Sequence, residues 1–169
     1  MISQVQFSIT PKIIVDLDTG KSISFKNKKL DLKLKNQIKK DFISSKSKKY
    51  LQQCIFDNGS NDVDDLSQYL DGSVTSITYD PSKDNFVVVI NVLLSKVLPK
   101  PFSSLKKSEL LSESEIYKLM TKQNLAEMIK ENLTWAYSSS GHFKSYTLNK
   151  EDVYVDISQN NVSGFKTLS

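Results

Sequence analysis

The chain has 169 residues, of which 38% are hydrophobic and 25% charged, as is typical of one globular domain with a substantial core. Its five glycines stand far apart, which excludes the glycine-rich loops that cradle phosphates and dinucleotides. One cysteine and one histidine exclude a conventional zinc site built within a single chain. We therefore expect one domain over residues 1–169 that uses no cofactor.

The 23 lysines are unevenly distributed, and the chain has no arginine. Residues 1–50 carry 12 lysines and 4 aspartates, whereas residues 51–95 carry 1 lysine and 7 aspartates. The basic segment suits an acidic partner, a nucleic acid, an anionic membrane surface or the acidic segment of the same chain, although most such runs are simply solvated. Because arginine supplies the rigid fork that reads guanine, sequence-specific DNA recognition lacks its commonest side chain.

The first part of the chain has the period-two alternation of β-strands. Apolar residues alternate with polar ones over 5–9, 13–17 and 23–25, and residues 18–21 have the composition of a turn. The pattern predicts a strand followed by a hairpin. Residues 28–35 alternate leucines with charged residues, which fits either another strand or the start of a helix.

The spacing of apolar residues becomes helical from Leu34 onward, with a phase slip near 44–45. A second, short helix is predicted over 62–70, with Asp62 as its N-cap. The longer helical region is expected to bury one apolar stripe, formed by Leu34, Ile38, Phe42, Ile43, Tyr50, Leu51, Cys54 and Ile55.

A second hairpin is predicted from strands near 75–79 and 86–90, with turn residues at 80–85. The strand 86–90 is apolar on both faces, which places it in the centre of a sheet. Prolines at 99 and 101 then interrupt regular structure.

Two helices, or one kinked helix, and a third hairpin are predicted in the remaining chain. Ser112 and Glu115 have the spacing of a capping box, and the helical phase fails at 121–124, where Asn124 is expected to cap a second helix. That helix should end near Gly141. Segments 143–148 and 153–157 then flank a turn. The predicted fold class is α+β, a mostly antiparallel sheet of about three hairpins packed against three or four helices.

No constellation of catalytic or metal-binding residues emerges. His142 follows three serines but lacks the G-x-S-x-G pattern of a nucleophile elbow, and it suits a helix C-terminus. The acidic residues within 57–65 fail the EF-hand spacing, because Asp62 and Gln68 occupy the positions of the required glycine and glutamate. Cys54 lies on the apolar stripe and is expected to be an inert core thiol. We expect neither a catalytic residue nor a metal site.

Two features are candidates for contact with a partner protein. An apolar, proline-containing arm spans 98–102, and two aromatic residues lie near the end of the last predicted helix. Both kinds of residue occur at protein interfaces, although both also cover cores. The candidate partner-binding residues are Leu98, Pro99, Pro101, Phe102, Trp135 and Tyr137.

The densest basic region offers an alternative, because sequence-independent nucleic-acid binding needs only positive charge density. The candidate residues for it are Lys26, Lys28, Lys29, Lys39, Lys40, Lys46, Lys48 and Lys49.

The sequence therefore favours a non-enzymatic interaction or assembly subunit, which binds another protein or itself through charged faces and the apolar arm. The alternative is a nucleic-acid-binding accessory protein that uses the lysine-rich segment 26–49. No run of 18 apolar residues and no secretory signal pattern is visible, so we expect a cytoplasmic or intracellular protein without a transmembrane segment.

Overall fold

The computed structural model describes residues 2–16, 18–19, 21–56, 65–94, 110–139, 146–147 and 153–156. Four α-helices lie within them: α1 (Leu32–Phe42), α2 (Ser45–Phe56), α3 (Glu113–Leu119) and α4 (Lys122–Ser139). The strands are β1 (Ile2–Ile9), β2 (Lys12–Asp16), β3 (Lys21–Ser24), β4 (Leu70–Asp80), β5 (Asn85–Leu94), β6 (Tyr146–Thr147) and β7 (Val153–Asp156).

Antiparallel pairing organises the strands into two sheets. The larger sheet has the order β4-β5-β1-β7, and the smaller has the order β3-β2-β6. The helices and the antiparallel sheets together confirm the predicted α+β class. The hairpin of β2 and β3 and the hairpin of β4 and β5 are both present, and β5 lies between β4 and β1 as its apolar sequence predicted.

The third predicted hairpin is wrong in its pairing. β6 pairs with β2 and β7 pairs with β1, so the two segments lie in different sheets instead of bonding to each other. A local alternation of apolar and polar residues indicates a strand, but it does not determine the neighbouring strand with which that strand pairs. Here the edges are those of β1 and β2, more than a hundred residues away in the chain.

The ambiguous segment 28–35 resolves as the start of a helix. The carboxylate of Asp31 accepts a hydrogen bond from the backbone N–H of Leu34 at 3.1 Å, which caps α1 at its N-terminus. The phase slip near 44–45 is confirmed as the break between α1 and α2. Ser44 Oγ donates to the carbonyl of Asp41 and accepts from the N–H of Ser47, so one side chain serves both helix ends.

Two members of the predicted buried stripe are instead exposed. Ile38 and Phe42 are fully buried on the inner side of α1, but Leu34 is 38% exposed and Ile43 is 45% exposed. Leu34 lies in the first turn of α1, at the end of the helix. Ile43 directly follows Phe42, and because adjacent residues of a helix point in different directions, Ile43 cannot face the core together with Phe42.

The short helix predicted over 62–70 is one turn of 3₁₀ helix, Leu66–Tyr69, and Leu70 already belongs to β4. Its N-cap is Asp65, whose carboxylate accepts from the N–H and hydroxyl of Ser67. The predicted cap, Asp62, lies outside the described residues. A single turn suits this place because the chain must be extended again at Leu70.

The break between α3 and α4 is confirmed, and so is the capping box. Ser112 N–H donates to Glu115 Oε1 and Glu115 N–H donates to Ser112 Oγ, both at 3.2 Å. The predicted cap of α4 is wrong, since Thr121 Oγ1 accepts from the N–H of Asn124 at 3.1 Å. Asn124 instead donates its side-chain amide to the carbonyl of Leu119. The predicted helix end at Gly141 lies outside the described residues.

The core lies on one face of the larger sheet. Val5, Phe7 and Ile9 of β1 are fully buried, as are the alternate apolar residues of β5 from Phe86 to Val92. The helices α2 and α4 pack against each other, α2 packs against β4 and α4 against β7. On the opposite face of the sheet Gln4 and Gln6 are exposed, whereas Val87 and Val89 are half-buried.

Candidate interaction surface

The structure describes only the backbone of two of the six predicted partner-binding residues. Leu98, Pro99, Pro101 and Phe102 lie outside the described residues. Trp135 and Tyr137 belong to α4, whose backbone is described, but their side chains lie outside the described part of the structure. The arm and the aromatic pair therefore remain predictions.

The predicted basic residues are spread over three consecutive elements. Lys26, Lys28 and Lys29 lie in the turns before α1, and all three are exposed. Lys39 and Lys40 belong to α1, and Lys46, Lys48 and Lys49 belong to α2. Of these last five, only Lys40, Lys46 and Lys49 are exposed.

The half-buried lysines make contacts within the chain. Lys35, on α1, places its Nζ 2.6 Å from Asp84 Oδ2 and 4.7 Å from the centre of the Phe25 ring. Lys39 Nζ lies 4.1 Å above the centre of the Tyr79 ring, a cation–π contact. These two lysines hold the inner side of α1 on the hairpin of β4 and β5.

Asp84 is the centre of this contact. Its second carboxylate oxygen accepts from Tyr79 Oη at 2.5 Å. Burial acts to raise the pKa of Asp84, but the hydrogen bonds from Lys35 and Tyr79 outweigh it and hold the pKa below its usual value. The same hydrogen bond to the carboxylate raises the pKa of Tyr79 to about 12. The cluster therefore holds a carboxylate and a neutral phenol and does not supply a group poised for proton transfer near neutral pH.

The adjacent, exposed part of the surface of α1 makes no such ion pair or ring contact with the described residues. Leu32 is 69% exposed and Ile43, which follows the helix, is 45% exposed. They are eleven residues apart, so their directions around the helix axis differ by only about 20°. Lys33 and Lys40 are also exposed, and they lie about 60–100° around the helix axis from these two side chains. We call these four residues the outer face of α1.

The outer face of α1 differs from an ordinary solvated helix face in its apolar content. Leu32, Leu34 and Ile43 are the large hydrophobic residues that are exposed in the described part of the chain. Leu32 and Ile43 belong to this face, whereas Leu34 lies about 160–180° away from them around the helix axis. Single exposed apolar residues are common, but their concentration on one lysine-bearing helix is typical of a contact surface.

The described residues offer no support for metal or thiol chemistry. They contain no group of three or more histidine, cysteine or acidic residues that could hold a metal ion. Burial raises the pKa of Cys54 to about 11, against a hydrogen bond involving Tyr50 that lowers it, so the thiol stays protonated in the core. His142 and the predicted acidic loop, except for Asp65, lie outside the described residues.

No helix within the described ranges is both long and apolar enough to cross a membrane. Comparison with known proteins finds no matching family model, no matching curated protein and no matching solved structure.

The sequence pattern missed the outer face of α1. The spacing of apolar residues predicts Ile43 in the buried stripe, and it leaves Leu32 in a segment that fits either a strand or the start of a helix. The adjacency of Phe42 and Ile43 indicates that one of them is exposed, because a helix that buries one must turn the other about 100° away.

Proposed function

We propose that the protein is a non-enzymatic interaction subunit that binds an acidic partner protein through the outer face of α1. The observation that carries the proposal is that Leu32 and Ile43 lie exposed at the two ends of α1, with the exposed Lys33 and Lys40 between them along the helix. Lysines attract an acidic surface and fix its orientation, while apolar side chains gain from being covered.

Covering the two apolar side chains supplies the favourable free energy. Full burial of a leucine or isoleucine contributes roughly 1.5–3 kcal/mol relative to exposure, and Leu32 and Ile43 lie about 16 Å apart along the helix. A partner that spans three helical turns covers both. The long lysine stems extend the apolar surface between them while their ammonium groups stay in water.

The apolar content favours a protein over a nucleic acid as partner. Phosphate binding needs only the lysines, and exposed Leu32 and Ile43 contribute nothing to it. Two lysines of the predicted nucleic-acid site, Lys39 and Lys48, are also engaged within the chain, on the Tyr79 ring and near the carbonyl of Thr75. Nucleic-acid binding through the remaining lysines is the competing outcome of the test.

Site-specific photo-crosslinking tests the proposal. A photoreactive residue in place of Asn36, which is exposed on α1 between Leu32 and Ile43, should give protein adducts in the cells that make the chain. The matched control is the same residue in place of Gln4, which is exposed on the larger sheet and should give none. Adding Leu32→Ser and Ile43→Ser should remove most of the adduct without unfolding the chain. Adducts with nucleic acid only, or equal adducts at both positions, would overturn the proposal.

A further inference from the structure

The outer edge of the larger sheet is formed by β4. Among the described strands β4 pairs with β5 only, and the order β4-β5-β1-β7 places it at the end of the sheet. It is 11 residues long, about twice the length of an average strand. A long edge strand presents backbone N–H and C=O groups to which a strand of another chain can bind, so it calls for protection within the fold.

β4 lacks the protection that edge strands often carry in their own sequence. Lysine and proline discourage pairing on many natural edges, and the segment Leu70–Asp80 contains neither. Its exposed side chains are short, and they leave the backbone accessible from the solvent side: Asp71, Ser73, Thr75 and Thr78. Protection of this edge must therefore come from another element.

Side chains of α2 supply it, because they reach backbone groups in the middle of β4. The N–H of Val74 donates to Gln52 Oε1 at 3.2 Å, and Lys48 Nζ donates to the carbonyl oxygen of Thr75 at 3.5 Å. The N–H of Val74 is thereby occupied. The carbonyl of Thr75 faces an ammonium group, which a second strand would have to displace or bury.

The contacts between α2 and β4 share one register. Lys48, Gln52 and Phe56 are four residues apart, so they form one stripe along α2. The Phe56 ring occupies the place that a Cβ of Gly72 would take, and the contacts on β4 run back from Thr75 to Gly72 as α2 advances. Eight residues of helix span about 12 Å and three of strand about 10 Å, so one straight helix makes all three contacts together.

An irregularity in β4 lies at the same place. Its register with β5 shifts between Val74 and Ser76, which leaves Thr75 as an extra residue. An extra residue increases the local twist and interrupts the regular spacing of hydrogen-bonding groups along a strand. Together with the contacts from α2, the shift divides the edge into the stretches 70–73 and 76–80, neither of them longer than an average strand.

We propose that Lys48 and Gln52 of α2 protect the outer edge of β4 from pairing with β4 of a second copy of the chain. The proposal is independent of the outer face of α1, since neither side chain belongs to that face. It assigns α2 a task besides packing on the core, which is to keep an otherwise accessible strand from joining two molecules edge to edge.

Removal of the two side chains tests this inference. Lys48→Ala with Gln52→Ala should make the purified chain, freed of bound protein, self-associate at least about tenfold more strongly than wild type in a light-scattering concentration series. The matched control is Lys49→Ala with Gln53→Ala, which removes the same two residue types, both exposed, from the next positions of α2. The control loses the same charge and should behave as wild type.

Amide hydrogen exchange locates the effect. In dilute solution the N–H of Val74 should exchange at least about tenfold faster in the double variant than in wild type, and it should slow again at concentrations where the variant associates. Thr78→Lys added to the double variant should reverse the association, because it places a charge on the same edge.

Circular dichroism should show that the double variant folds, since Gln52 is exposed and Lys48 half-buried. Gln52→Ala alone removes only the exposed side chain and gives the same test with a smaller effect. A folded variant with the mass of wild type at every concentration would overturn the inference. Equal association of the control variant, or association that Thr78→Lys does not reduce, would show that the contact lies elsewhere and would contradict it as well.

Discussion

Lys35 Nζ lies 2.6 Å from Asp84 Oδ2, and this ion pair joins the basic beginning of the chain to its acidic middle. The two residues are 49 positions apart in the sequence. Asp84 also has φ of 51°, a left-handed backbone conformation that few residues other than glycine, asparagine and aspartate adopt readily. The contact fixes which side of α1 faces inward, and therefore which lysines and leucines face outward.

Replacing the carboxylate of Asp84 should loosen this contact. Asp84→Asn keeps the shape and tolerates the left-handed backbone, but it removes the charge that Lys35 meets. Because both side chains are partly exposed, we expect a loss of only about 0.5–1 kcal/mol in the free energy of unfolding, measured by urea denaturation. Asp71→Asn, on the exposed face of β4, is the control and should change little.

The effect of Asp84→Asn should depend on pH in one direction. The folded-state pKa of Asp84 is lowered from 3.8, so its stabilisation is complete above that value and is lost as the pH falls below it. The difference in stability between wild type and Asp84→Asn should therefore shrink in acid. A constant difference down to the lowest pH at which both fold would show that the charge is not the cause.

Tyr79 should make the protein sensitive to strong alkali. Its folded-state pKa is raised from 10.0 to about 12, chiefly by the hydrogen bond to Asp84, so its stabilisation is present below pH 10 and is lost as the pH rises toward 12. The ultraviolet absorbance of the Tyr79 phenolate, taken as the difference between wild type and Tyr79→Phe, should rise only well above pH 10. In Asp84→Asn the same signal should move back toward pH 10, and an unmoved titration would contradict this assignment.

Cys54 should resist thiol reagents in the folded protein. Burial raises its pKa from 9.0 to about 11, which means roughly 100-fold less thiolate at neutral pH, and the surrounding core also blocks access. A chromogenic disulfide reagent should react quickly in denaturant and far more slowly without it. Reaction of the native protein at the rate of the unfolded chain would place the thiol at the surface.

Gly72 of β4 has no room for a side chain. A Cβ there would lie 2.6 Å from the backbone carbonyl oxygen of Asn91 and would overlap the ring of Phe56. Because the carbonyl belongs to the neighbouring strand, it cannot move aside without disturbing the sheet. We expect Gly72→Ala to cost about 1–3 kcal/mol in urea denaturation, and Ser73→Ala, next to it on the exposed face, less than about 0.5 kcal/mol. Equal stability of the two variants would contradict this packing.

Features encoded by neighbouring residues were predictable from the sequence. The capping box of Ser112 and Glu115 and the hairpin of β4 and β5 depend on short spacings and turn residues, which act before any tertiary contact forms. The break between α1 and α2 was visible for the same reason, as a loss of helical phase.

Features that depend on distant partners were not predictable. The strands β6 and β7 have local patterns that suit a hairpin, yet the edges of β2 and β1 take them. The uneven charge distribution suggested contact between the basic and acidic segments, but only the fold selects Lys35 and Asp84 and leaves Lys33 and Lys40 outward. The outer face of α1 follows from that selection, since the spacing of Leu34, Ile38 and Phe42 alone predicts a different buried stripe.

The central claim is that the outer face of α1 binds protein. The most direct measurement is size-exclusion chromatography with light scattering at low and high salt, on chain purified without nuclease, recording absorbance at 260 and 280 nm. We predict that the chain recovered from the cells that make it is free of nucleic acid and elutes with a bound protein, above its own mass of 19.2 kDa, and that this excess mass is lost in Lys33→Glu with Lys40→Glu. Nucleic acid that co-elutes with the chain, is stripped by salt and is lost in that variant would contradict the claim and make α1 a nucleic-acid site.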